Sequence, residues 1–166
     1  MNNKRFWLST LLAWLVFIGI DFLIHASLLE NLWKKEVSAI KSLSDLAILI
    51  PGGYLSFLLL TLLIGFVFVK IFPKQETFRS ALKFGVIFGF LFSLSNLMGL
   101  FSYIRLPLVH LVFTNMGYFI EIIAVVLVYN SLLYPEKIKN KIWKTAALFF
   151  ILVIIGVIIQ NVFNQI

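Results

Sequence analysis

Asp21 and His25 are the residues in this sequence whose types and spacing could do chemistry. They lie in the stretch from Gly19 to His25, and a four-residue spacing puts both on one face of a helix. A carboxylate and an imidazole so placed can form an internal pair, pass a proton, hold a ligand or share a metal ion. The run around them is apolar and long enough to cross a bilayer. An uncompensated charge there costs about 2.5 kcal/mol or more, so such groups stand there for a partner or a purpose. A second polar face lies further on. His110, Thr114, Gly117, Tyr118 and Glu121 fall within a narrow arc at the helical period. Asn96 ends a stripe of small residues, Gly85, Gly89 and Ser93, at helical spacing.

Depth decides which of these can meet. With a rise of about 1.5 Å per residue, His25 and His110 lie roughly 5–9 Å inside the outer boundary, Asp21 and Asn96 about 12 Å, and Glu121 about 20 Å. The expectation is a polar pocket in the outer half of the bundle, enclosed by the first, third and fourth spans. Asp21, His25, Asn96 and His110 would share one layer, with Thr114 and Tyr54 nearby. Glu121 would sit below it, and its charge would matter little to Asp21 if the two are more than ~10 Å apart.

Three functions compete for these residues. The first is a pocket that binds or passes a small or amphipathic ligand, coupled to protonation, with Asp21, His25, Asn96, His110, Thr114, Tyr118 and Glu121 around it. The second is a membrane-embedded enzyme with a metal on Asp21, His25 and His110, two imidazoles and a carboxylate that leave a position open. No HExxH, HxxxH or HxxE spacing supports that set. The third is a structural or assembly subunit, with the Gly85/Gly89/Ser93 face meeting a second copy in a homo-oligomer. Haem ligation through His25 and His110 is physically open. GxSxG, P-loop and GxGxxG motifs are absent, so neither a serine nucleophile nor a phosphate cradle is signalled.

The elements that must position these residues are transmembrane helices. The chain has 166 residues, 61% hydrophobic and 13% charged, with a mean hydropathy of +1.04, far from the soluble average. Zero cysteines exclude disulfides, thiolate nucleophiles and cysteine metal sites. The net charge of +7 sits in short loops, so it speaks for orientation in a lipid bilayer and against nucleic acid. Five apolar runs, at about 6–29, 48–72, 80–104, 107–134 and 142–163, are each near the span length. The fold class is an all-α integral membrane protein, one polytopic domain forming a five-helix bundle. The first run reads as a retained span, because Ile24-His25-Ala26 lacks the small residue a cleavage site needs. Pro107 and Pro51 read as first-turn residues of the fourth and second helices.

Lys4, Arg5, Lys70, Lys74, Arg79, Lys83, Lys137, Lys139, Lys141 and Lys144 fall on one side, against Lys34, Lys35, Lys41 and Arg105 on the other. The positive-inside rule then puts the N-terminus in the cytoplasm and the C-terminus outside. Small size points to the cytoplasmic (inner) membrane of a bacterium. The apolar positions of residues 31–46 suit either a short helix in the outer interface or a solvated connector. In length and span count the chain resembles the tryptophan-rich sensory protein (translocator) family. Trp7, Trp14, Trp33 and Trp143 do not reproduce its tryptophan- and asparagine-bearing pattern, so the likeness is one of architecture and transfers no residue and no ligand.

Overall fold

A computed structural model describes residues 3–34, 43–134 and 138–163 of the chain. All of its elements are helical. They are α1 (Asn3–Asp21), a π-helical segment (Phe22–Leu28), α2 (Glu30–Trp33), α3 (Leu43–Ile71), α4 (Phe78–Tyr103), α5 (Leu108–Leu132) and α6 (Lys139–Phe163). Five stretches are long and apolar enough to cross a membrane: Asn3–Leu28, Ile48–Ile71, Phe78–Tyr103, Leu108–Leu132 and Lys139–Val162. This is the integral membrane architecture read from hydropathy, with helices satisfying the backbone where lipid offers no partner.

The boundaries have local causes. Thr77 caps α4 by accepting a hydrogen bond from the Ser80 amide at 3.1 Å. Pro107 immediately precedes α5, and its carbonyl accepts from the His110 amide at 2.9 Å. Pro51, read as a first-turn residue, instead lies inside α3, which starts eight residues earlier at Leu43. It removes one backbone donor there without ending the helix. Of the stretch 31–46, residues 31–33 belong to α2 and 43–46 to the start of α3, while 35–42 lie outside the described residues.

Helices α1 and α5 form the centre, and α3 lies against both. The helix α4 packs along α5, and α6 packs along α1 and the π segment. Small residues set the closest approaches, because packing drives association in lipid. A Cβ on Gly85 would stand 3.2 Å from the Ile123 backbone, and one on Gly89 would stand 3.2 Å from the Phe119 carbonyl oxygen. Ser93 is buried on the same stripe. The face expected to meet a second copy is therefore covered by α5 of the same chain. The helix α6 leaves most of its surface exposed, as its uniformly apolar sequence predicts.

Tyr129 ties the centre together away from the Trp33 end. Its hydroxyl shares a 2.8 Å hydrogen bond with Thr10 of α1 and donates to the Thr61 carbonyl of α3 at 3.0 Å. Its ring stacks on Phe6 and Phe68, and Gly65 makes room for it: a Cβ there would fall 2.5 Å from the ring. At that end the α3–α4 connection is pinned by Asn130, whose amide exchanges two 3.1 Å hydrogen bonds with the Glu76 backbone. Tyr134, just past α5, donates to the Phe72 carbonyl. Burial, with the Glu76 carboxylate nearby as a smaller cause, pushes its phenol above the ordinary range.

Candidate functional site

The π-helical segment carries the site. From Phe22 to Leu28 the backbone winds in the wider i→i+5 pattern, closed by the Leu29 amide on the Ile24 carbonyl at 2.9 Å. Such segments are rare and concentrate at functional sites. The helix α6 is shaped to receive this one. A Cβ on Gly156 would lie 2.7 Å from the Phe22 ring and 2.8 Å from Ser27 Oγ. Gln160 donates to the Ala26 carbonyl at 2.6 Å, supplying a partner that lipid would not. Gly19 lets α1 approach Leu152 and Phe149 of α6. The opposite face of the segment is thereby turned onto α5, where His25 seats against Gly117. A Cβ on that glycine would fall 2.5 Å from His25 Nε2.

Glu121, one turn along α5 from Gly117, completes the cluster. Asp21, His25 and Glu121 each offer a donor atom, and these atoms all lie within 4.8 Å of one another. Glu121 is fully buried. Both of its carboxylate oxygens, and Nδ1 of His25, are buried with no hydrogen-bond partner among the described residues. Unmatched buried polar groups are costly, and native proteins keep few of them.

The close approach of Asp21 and Glu121 corrects the expected depths. Those depths ended the first helix near Leu29. The chain instead turns once at Leu29 and resumes as the short helix α2 to Trp33, and the Leu32 carbonyl is level with His110, 3.1 Å from its Nε2. Asp21 then lies twelve residues before Trp33 and Glu121 thirteen residues after Leu108, so the two come to a similar level.

A cavity of about 590 Å³ opens beside the cluster. Asp21 and His25 form its polar floor. Ile50, Gly53, Tyr54 and Phe57 of α3 line one wall, and Glu30, Trp33 and Lys34 form the rim. Glu30 and Lys34 make a 2.9 Å ion pair there. Trp14 donates to the Tyr54 carbonyl at 2.9 Å and fixes α3 on α1 at the height of the cavity. The wall is therefore built by the second span, where the third was expected.

The remaining candidates are used differently. A carbonyl only accepts, so His110 Nε2 carries the proton and donates to Leu32. Trp33 stands between the two imidazoles, its ring 5.8 Å from that of His25 and 5.4 Å from that of His110. His110 is thus not brought to Asp21 and His25. Asn96 donates to Asn115 at 3.0 Å, and Asn115 in turn donates to the Leu111 carbonyl at 2.7 Å, so Asn96 braces α4 on α5. Tyr118 packs edge-on against Phe57 and Phe92, joining α3 and α4. Thr114 is half-buried on α5. Trp33, Glu30, Gly53 and Phe57 were not singled out from sequence as cavity residues. Their one signal was an amphipathic first loop followed by a small-residue start to the second span. Comparisons with protein families, with curated proteins and with solved structures find no match for this chain.

Proposed function

We propose that this protein binds a small amphipathic molecule within the membrane, its apolar body against Ile50, Tyr54 and Phe57 and its polar end on Asp21 and His25. The observation that carries the reading is the open cavity whose floor is made of ionisable groups deep in an apolar span. Pockets of this kind, mostly apolar with a few convergent polar groups, fit ligands of modest size. Binding is favoured over passage by what lies beyond Glu121. Ile122, Val125, Ile64, Phe68 and Tyr129 are all buried there and fill the bundle. If the charge asymmetry of the loops sets the orientation, the cavity faces the outer half of the membrane.

Trp33 at the rim reports occupancy. In a variant keeping Trp14 and Trp33 and carrying phenylalanine at Trp7 and Trp143, the neutral amphiphile 11-bromoundecanol should quench the fluorescence saturably. Gly53→Leu should abolish the saturable component: Gly53 lines the cavity, and a Cβ on it meets nothing within 4 Å. Quenching that only follows the amphiphile-to-detergent ratio, unchanged in Gly53→Leu, would mean partitioning and no pocket.

A further inference from the structure

We propose that Asp21, His25 and Glu121 form a binding site for one divalent transition-metal ion, of the zinc or manganese kind, at the floor of the cavity. The geometry is the first support. One imidazole nitrogen and two carboxylate oxygens come from two helices and all lie within 4.8 Å of one another. A tetrahedral ion with bonds of about 2.1 Å holds its donors about 3.4 Å apart, so side-chain adjustments of an ångström or so close the shell. Glu121 supplies an independent second support. It is fully buried, both oxygens lack a partner among the described residues, and it points into the same cluster. A carboxylate so enclosed asks for a cation.

Charge and donor type agree. Two carboxylates neutralise a dication, so the filled site is neutral in its apolar surroundings. Mixed nitrogen and oxygen donors suit zinc, manganese or ferrous iron better than calcium, which takes six to eight oxygens. The open side is set by the fold. Asp21 and His25 line the cavity, whereas Glu121 is enclosed behind them. The unfilled coordination positions therefore face the cavity. This deepens the reading of the pocket and rests on it in one respect: the amphipathic ligand would carry an oxygen-bearing head, a carboxylate or phosphate, that completes the shell.

The test uses full-length protein without a histidine tag, stripped with chelator and titrated separately with Zn²⁺ and Mn²⁺. Expected is saturable binding of one ion per chain, weakened at least ten-fold by Glu121→Gln and by His25→Gln and unchanged by His110→Gln. Should Glu121→Gln not fold, Asp21→Asn carries the same expectation, because Asp21 is the partly exposed carboxylate of the pair. No saturable binding of either ion, or equal affinity in the carboxylate variant, would overturn the site. Equal losses from His110→Gln and His25→Gln would overturn it as well. Quenching of Trp33 by 11-bromoundecanol in the chelated protein is read separately, so the pocket can stand where the ion fails. With the ion bound, 11-bromoundecanoate, whose carboxylate would complete the shell, should bind several-fold more tightly than in the chelated protein.

Discussion

Glycine 117 does as much for the cluster as the groups with chemistry. His25 Nε2 occupies the space where its side chain would begin, 2.5 Å from a hypothetical Cβ. Adding that methyl group forces the imidazole off Glu121 or α5 away from the π segment, at a cost of about 1–3 kcal/mol. Gly117→Ala should therefore lower Zn²⁺ affinity ten-fold or more while His110→Gln leaves it alone, as read in the same titration. Equal affinities in Gly117→Ala and the parent protein would show that His25 is not held there. At this scale the sequence was informative. The four-residue spacing of Asp21 and His25, and the arc of Gly117 and Glu121, named the two faces that meet. It could not tell which members of each arc would touch. His110 shares the Glu121 arc but lies level with Leu32, and the ring of Trp33 separates it from His25.

The element that hydropathy hid is the π segment. Phe22–Leu28 reads as ordinary continuation of an apolar helix, since no residue in it breaks the helical pattern. Its signals lie more than a hundred residues away, in Gly156 and Gln160 of α6. The helix α6 leaves most of its surface exposed, yet it shapes the site through those two residues. Gln160→Leu removes the donor on the Ala26 carbonyl and leaves that oxygen in apolar surroundings. The expected loss is about 1–3 kcal/mol. It should appear as a lower thermal midpoint in detergent, together with weaker probe quenching at the Trp33 rim. An unchanged midpoint would mean that the carbonyl finds another partner. The helix count and approximate limits were legible because lipid forces every span into one long apolar run. Helix neighbours were not, because a small-residue stripe such as Gly85, Gly89 and Ser93 permits close packing without saying against which helix.

For the whole molecule, α1 and α5 form a central pair closed at the Tyr129 end by stacked aromatic rings and open towards Trp33. The proposed orientation of this blind cavity rests on the loop lysines and arginines. The absence of native cysteine makes the orientation directly testable. Arg105 and Lys74 are both exposed, in the connections flanking α4. In intact cells an impermeant maleimide should label Arg105→Cys, and Lys74→Cys only after permeabilisation. The reverse pattern would turn the cavity towards the cytoplasm. That the first and fourth spans converge on one polar cluster is the claim from which the ligand, the ion and the role of α6 follow. Its most direct measurement is the Zn²⁺ affinity of Glu121→Gln set against that of His110→Gln. A loss of ten-fold or more confined to Glu121→Gln is expected; a loss confined to His110→Gln, or shared equally, would contradict it.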